Sequence, residues 1–169
     1  MPAPIDQKWI DLLQQRRIAA ISTLRPDNTI QMSAAWYLYE DGHFLLAIPT
    51  NSAKATNLRQ RPTASILVDA RVAGREKGIA ATGTATLLEG DQARPIIQRL
   101  QSTFITQKAL DDPTIGPAFD GFHQTALILE PERWSHWDME ELDRDHLGGR
   151  LQAQSLLHPL DEAPPPLTP

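Results

Sequence analysis

Apolar residues recur along the chain with two periods, and their order predicts a mainly β protein with peripheral helices. Residues 5–16 predict a short amphipathic helix, because apolar side chains recur at helical spacing at Ile5, Trp9, Leu12 and Leu13. Alternating or continuous apolar runs then predict three strands, at 18–24, 29–39 and 43–48. Because only the short turns RPDN and EDG separate them, the three strands are expected to form an antiparallel meander.

The second half of the chain continues the β pattern and adds one strongly amphipathic helix. Further strands are predicted at 63–70, at 78–89, and from residue 125 to about Glu130. Gly83, inside the second of these, predicts a bulge or a tight bend. Residues 91–105 predict a helix with Asp91 as its N-cap, whereas the Gly and Pro content of 110–123 indicates a loop. About six strands with peripheral helices are typical of an antiparallel β-barrel.

Composition narrows the class of protein without naming a function. The 169 residues, 41% of them apolar and 22% charged, suit one packed domain at 1–139 with a C-terminal extension at 140–169. The last ten or so residues, rich in Pro, are expected to be disordered. A net charge of −5 without a basic cluster argues against nucleic acid as a partner.

Two absences in the sequence exclude further classes. The chain has no cysteine, which rules out disulfides, thiolate metal ligands and cysteine nucleophiles, and fits a reducing compartment. No apolar run approaches the roughly 20 residues that a membrane span needs, and the N-terminus lacks the pattern of a signal peptide. We therefore expect a cytoplasmic protein that does not associate with membranes.

The segment TNSAKATNL, between the third and fourth predicted strands, is the first candidate for chemistry. Ser52 stands at the N-cap of a short predicted helix that Pro62 ends. The N-terminus of a helix offers free N–H groups and a positive dipole end, so Thr50, Ser52 and Lys54 together would form a phosphate cradle. The alternative is an ordinary capped helix with a lysine on the surface.

A resemblance favours the cradle. The order IAAISTLRPDNTIQMSAAWYLYEDGHFLLAIPTNSAKATNLRQRPTASILVD, then GTATLLE, then LILEPERWSHW, resembles the pyridoxamine 5'-phosphate oxidase-like family over about residues 10–139. Members of this family are six-stranded antiparallel split β-barrels, the flavin reductase-like fold, which bind FMN. Their S-x-K-x-x-N-L segment holds the phosphate of the cofactor, and a late Pro and Trp often close over the flavin ring; here these are Pro131 and Trp137.

The resemblance implies a set of cofactor-binding residues in this chain. One strand alongside the flavin ring, the next strand and the cradle would contribute Gln31, Ser33, Trp36, Ile48, Pro49, Thr50, Ser52, Ala53, Lys54 and Asn57. Family members bind the cofactor between two subunits, which implies a homodimer in which Arg75, Lys77 or Trp137 reaches the flavin of the partner. From the alternation alone, Trp36 could equally be a core aromatic, and Gln31 and Ser33 could equally be solvated strand positions.

Three departures separate this chain from the vitamin oxidases of the family. Gln31 stands where they have Arg, Ala53 stands where they have a second basic residue, and Arg150-Leu151-Gln152 lacks their final His. These departures argue against oxidation of the vitamin. The resemblance then implies an FMN-binding oxidoreductase that acts on a small organic substrate with a nicotinamide donor.

Two other functions that the same fold supports remain open. One is a deazaflavin-dependent reductase, whose cofactor has a longer phosphodiester tail; another is a non-enzymatic flavin or haem carrier or sensor, with His136 or His146 as the axial ligand. The flavin would carry the hydride step itself, which fits a chain without a nucleophile elbow or a regular metal-binding motif. The substrate is left undefined, because its contacts would come from variable loops such as 111–123.

Overall fold

The computed structural model of the protein describes residues 4–154 and 156–158. It contains a closed six-stranded antiparallel barrel with the strand order β1-β2-β3-β6-β5-β4. The strands are β1 (Ile18–Leu24), β2 (Ile30–Glu40), β3 (His43–Pro49), β4 (Thr63–Ala70), β5 (Lys77–Leu88) and β6 (Gln124–Asp138). The predicted fold class is therefore confirmed.

One helix precedes the first strand, and the others lie between the strands and after the last one. They are α1 (Gln7–Leu13), α2 (Ala53–Gln60), α3 (Arg94–Phe104), α4 (Gln107–Leu110), α5 (Ile115–Asp120), α6 (Met139–Leu147) and α7 (Arg150–Ala153). In the part of the chain that the structure describes, no helix is long and apolar enough to cross a membrane.

The core lies inside the barrel and under α1. Alternate residues of β3, namely Phe44, Leu46 and Ile48, are buried, while the residues between them are half-buried. Trp9 and Leu12 of α1 are also buried, as the helical spacing of its apolar residues predicts. Burial of each such side chain contributes about 1.5–3 kcal/mol, so the interior supplies most of the driving force for folding.

Strand β2 presents its apolar face outward. Tyr37 and Tyr39 are buried, whereas Ile30 and Met32 are 68% and 67% exposed, and Trp36 on the same face is 39% exposed. Period-two alternation separates the two faces of a strand but does not say which one points inward when both carry large apolar groups. The interpretation of Trp36 as a core aromatic is therefore wrong.

Strands β2 and β3 pair over only part of their length. Their ladder runs from Tyr37 opposite Leu46 to Glu40 opposite His43. Before Tyr37, β2 is paired along its other edge with β1, from Ile30 to Trp36. Beyond Leu46, β3 is paired along its other edge with β6. The two strands thus diverge at Trp36 and Ala47, where their ladder ends.

Several predicted boundaries differ from the observed ones. Strand β6 continues to Asp138 rather than ending near Glu130, and the predicted loop 110–123 contains helix α5. Asp91 belongs to a short 3-10 helix, Gly90–Gln92, and the N-cap of α3 is Ala93. The predicted N-cap is wrong because Asp91 lies in this separate 3-10 turn, which precedes α3.

Gly83 allows a close approach between strands, while the predicted bulge or bend at this position stays a prediction. It lies in β5, and a Cβ atom placed on it would stand 1.8 Å from the carbonyl oxygen of Glu130 in β6. No side chain fits at that distance, so only glycine is compatible with this crossing.

The chain divides into two compact units. The first comprises Met1–Val68 and Ala80–Ser135, and the second comprises Asp69–Ile79 and His136–Pro169. Within the second unit the carboxylate of Asp143 is fully buried and accepts hydrogen bonds from the N–H groups of Leu151 and Gln152, which fixes the start of α7. The predicted boundary at residue 140 stays a prediction, and the predicted disorder of the last ten residues lies outside the described residues.

Candidate functional site

The loop after β3 leads into α2 as the sequence predicts. Ser52 is the N-cap: its side-chain oxygen accepts a hydrogen bond from the N–H of Ala55 at 3.2 Å. The helix ends at Gln60, with Arg61 as its C-cap immediately before Pro62. Capping by Ser52 orders the first turn, so the N–H groups at this end point in fixed directions.

Thr50 anchors this loop to strand β6. Its N–H donates to the carbonyl oxygen of His123 at 3.0 Å, and its hydroxyl oxygen accepts from the hydroxyl of Thr125 at 3.1 Å. The N–H of Ser52 donates to the carbonyl oxygen of Pro49 at 2.9 Å. The backbone donors of Thr50 and Ser52 are thus used within the chain. Within the residues that the structure describes, the N–H groups of Ala53 and Lys54 have no acceptor, so they are the donors available to a ligand.

Lys54 is a buried lysine in the first turn of α2. Its residue is only 8% exposed, and burial lowers the pKa of its ammonium group below the ordinary value. In residues 4–154 and 156–158 no hydrogen bond or ion pair involves this ammonium group. A buried cation without a partner is destabilising by itself, so an anion from outside the chain would be its natural counterion.

The other two basic residues of this segment are already engaged. Arg59 pairs with Glu89 at 2.7 Å and also donates to the carbonyl oxygen of Thr50. Arg61 donates to the side chain of Asn28 at 2.7 Å and to the backbone of the turn between β1 and β2. These two arginines hold the loops around the cradle by their hydrogen bonds and ion pair. The charge of Lys54, in contrast, is available to a ligand.

A buried polar cluster lies under α2. The amide of Asn57 donates to the hydroxyl of Thr23 at 2.9 Å and to the side-chain oxygen of Gln31 at 3.2 Å. Gln31 is thereby held half-buried at the start of β2, not solvated. Sequence reasoning missed Thr23; the signal that could have found it is a lone hydroxyl on the otherwise apolar buried face of β1, Ile18–Leu24.

The other residues proposed for the ring and ribityl chain have different surroundings. The hydroxyl oxygen of Ser33 on β2 is buried, and it has no hydrogen-bond partner in the described part of the chain. Ile48 has its side chain in the barrel core, so only its backbone could address a ligand, and Pro49 beside it is exposed. The indole ring of Trp36 stacks on Phe104, with ring centroids 5.0 Å apart and planes within 4° of parallel.

Arg75, Lys77 and Trp137 belong to the second unit. The guanidinium of Arg75 lies 3.5 Å from the carboxylate of Glu140 and is otherwise exposed. Lys77 begins β5 and is half-buried, and Trp137 is 49% exposed near the end of β6. Their predicted reach toward a partner's flavin stays a prediction.

An apolar pocket opens where β2 and β3 diverge. Its volume is about 290 Å³, and aliphatic side chains form most of its wall: Ile18, Ala34, Ala35, Ala47, Ile97 and Leu100. Trp36, Phe119, Gln101 and Gln124 complete the lining. In the residues that the structure describes, no group of three or more His, Asp or Glu side chains could hold a metal ion.

Comparison with known families gives one match by sequence. The family described as pyridoxamine 5'-phosphate oxidase matches residues 5–138, which is most of the chain. No curated protein is similar enough in sequence to count as a match.

Solved structures share the fold at low sequence identity. A conserved hypothetical protein from Mycobacterium tuberculosis is 22% identical, with a TM-score of 0.66, over 83% of this chain and 89% of its own. An F420 reductase is 20% identical, with a TM-score of 0.56, over 74% and 94%. The haem storage protein HutZ from Vibrio cholerae is 17% identical, with a TM-score of 0.59, over 80% and 95%. At these identities the likeness is one of fold.

Proposed function

Because this chain belongs to the pyridoxamine 5'-phosphate oxidase family, we propose that it is a flavoprotein that binds FMN. The phosphate would sit on the first turn of α2 and the ring along β2 and β3. With FMN bound, the protein would transfer electrons from a nicotinamide donor to a small organic substrate. FMN would supply the hydride chemistry, while the chain binds and orients the reactants.

The observation that carries this proposal is the unpaired ammonium group of Lys54. It lies in the same helical turn as the free N–H groups of Ala53 and Lys54, and within the described residues it has no counterion. A phosphate at this turn would accept hydrogen bonds from both N–H groups, lie at the positive end of the helix dipole and neutralise the lysine. The donor set therefore fits a phosphorylated cofactor.

The visible absorption spectrum of the purified protein, before and after incubation with FMN and gel filtration, tests the proposal. Retained flavin bands at about one FMN per subunit would support it. Consumption of NADPH that depends on an added acceptor would then separate an enzyme from a carrier. A protein that stays colourless after incubation would contradict FMN binding, and an intense Soret band would identify a haem protein instead.

A deazaflavin cofactor is the second candidate, and the count of available cations favours it. A phosphate monoester such as FMN carries a charge of about −1.5 to −2 at pH 7, whereas a phosphodiester carries a single negative charge. Lys54 alone matches the phosphodiester more closely, since Arg59 and Arg61 are engaged elsewhere. The fold is also that of an F420 reductase. A deazaflavin has one main visible band rather than two, so the same spectrum distinguishes the cofactors.

We also propose that the protein is a homodimer that pairs through the outer face of β1, β2 and β4. This face carries exposed apolar side chains, among them Ile18 at 62% exposure, Ile30, Met32 and Leu67. Contiguous exposed apolar patches usually mark interaction sites. A second copy covering this face would place the β2 strands of both subunits at the dimer interface. These are the strands proposed to border the flavin ring.

Substitution of Met32 by Glu is expected to convert the dimer into a monomer. A carboxylate at the centre of the apolar face would be buried without a partner on association, and its desolvation would oppose pairing. Sedimentation equilibrium measures the mass, with Thr86→Glu as the control because Thr86 is also an exposed strand residue. An unchanged dimer mass for Met32→Glu would contradict this interface.

A further inference from the structure

The apolar pocket between β2 and β3 binds, we infer, a neutral and largely apolar ring compound. That this compound is the substrate rests on the proposed function, since the pocket adjoins the strands assigned to the flavin ring. Its volume of about 290 Å³ lies at the small end of the range for ligand sites, which suits a molecule of about one or two fused rings.

The lining of the pocket excludes a charged ligand. All ten lining residues are uncharged, and its only side-chain amides are those of Gln101 and Gln124. The amide nitrogen of Gln101 donates to the carbonyl oxygen of Phe119 at 3.4 Å, which orients that side chain. A carboxylate or phosphate entering here would lose its hydration and gain at most neutral amide dipoles. A phosphorylated vitamin would therefore be rejected.

The walls of the pocket favour a flat ring. Trp36 presents an indole surface on one side, and its orientation is held by the parallel stack on Phe104. Phe119 supplies a second aromatic group, while small alanine side chains on β2 and β3 leave space between them. Offset stacking of aromatic rings contributes about 0.5–1.5 kcal/mol beyond the burial of area, so a planar ligand is preferred.

A polar cavity beside the pocket also opposes anions. It shares four lining residues with the pocket, namely Ile97, Gln101, Phe119 and Gln124. Its charged lining consists of the acidic Glu89, Asp91 and Asp120 against Arg94, which is itself 3.6 Å from Asp91. His123 also lines it. Glu89 is paired with Arg59 and Asp91 with Arg94, which leaves the carboxylate of Asp120 as the group of this lining that repels an approaching anion.

Calorimetric titration of the cofactor-free protein with 2-naphthol and 2-naphthoate tests the inference. The two probes share a ring system and differ in charge at neutral pH. We expect 2-naphthol to bind at least about tenfold more tightly. Equal affinity for both probes, or binding of neither, would overturn the inference. Retention of FMN is measured separately, so naphthol binding without FMN retention would remove the flavoprotein proposal and leave the pocket assignment intact.

Two variants locate the binding. Ala47→Leu fills the pocket from β3 and is expected to abolish binding of 2-naphthol; unchanged binding would show that the probe sits elsewhere and would overturn the assignment.

Gln101→Arg places a cation at the wall of the pocket and is expected to raise the affinity for 2-naphthoate at least about fivefold. Ser102→Arg adds the same charge to α3 at an exposed position that lines neither the pocket nor the polar cavity, and it serves as the matched control. An equal gain in both arginine variants would contradict a site at Gln101.

Discussion

Replacement of Lys54 by Met is expected to weaken FMN binding by about 10- to 100-fold. Hydrogen bonds to a charged partner contribute about 1.5–3 kcal/mol, and this variant removes the ammonium group while keeping the length of the side chain. Isothermal titration of the cofactor-free protein measures the dissociation constant. Lys108→Met is the control, because Lys108 is an exposed lysine of α4. Equal affinities for wild type and Lys54→Met would contradict the cradle.

The same variant is expected to leave the cofactor-free protein as stable as the wild type, or to make it more stable. Burial lowers the pKa of the Lys54 ammonium group, which means that the charged form is disfavoured in the folded chain. Replacement by Met removes the desolvation cost of the charged ammonium group and keeps the buried aliphatic part of the side chain. Thermal unfolding without ligand measures the effect; a large loss of stability would instead assign Lys54 a structural role.

The lowered pKa of Lys54 determines how stability and FMN affinity depend on pH. The folded chain loses the Lys54 proton at a lower pH than the unfolded chain does, so in that alkaline window the stability of the cofactor-free protein rises with pH. Phosphate binding needs the charged form, so FMN affinity should fall as pH rises through the lowered pKa. This fall should be absent in Lys54→Met.

Substitution of Gly83 by Ala is expected to destabilise the protein by at least about 3 kcal/mol, or to prevent folding. The added Cβ atom would stand 1.8 Å from the carbonyl oxygen of Glu130 and 2.9 Å from the Cα of Pro131. Both are backbone atoms of β6, so neither can rotate away. The crossing of β5 and β6 would have to open, with loss of barrel hydrogen bonds.

Gly90→Ala is the matched control for this prediction. Gly90 has a φ of +59°, and a Cβ atom on it would meet nothing within 4 Å, so the only penalty is conformational, about 1 kcal/mol. Chemical denaturation compares the free energies of unfolding of both variants with the wild type. Similar losses for the two glycines would contradict the steric account of Gly83.

Much of the barrel could be predicted because strands are encoded locally. Strands such as Ile18–Leu24 and Thr63–Ala70 were predicted within a residue, since β-branched and apolar runs bounded by turn residues define them. The length of β6 could not be predicted, because its second half alternates irregularly around Pro131 and depends on long-range pairing. The sequence also does not predict which face of β2 points into the barrel, because both faces carry large apolar residues.

The candidate site was predictable where a local motif specifies it. The N-cap at Ser52 follows from residue type and spacing, and it is confirmed. The burial and isolation of Lys54, the engagement of Thr50 with β6, and the cluster of Thr23 with Asn57 depend on contacts distant in sequence. The apolar pocket has no sequence motif, because it arises where β2 and β3 part.

The most direct measurement compares calorimetric titrations of the cofactor-free protein with FMN and with riboflavin, which lacks only the phosphate. Anchoring of the phosphate by the first turn of α2 and Lys54 predicts that FMN binds at least about tenfold more tightly than riboflavin. It also predicts that Lys54→Met removes most of this difference. Equal affinities for FMN and riboflavin in the wild type would contradict the phosphate cradle.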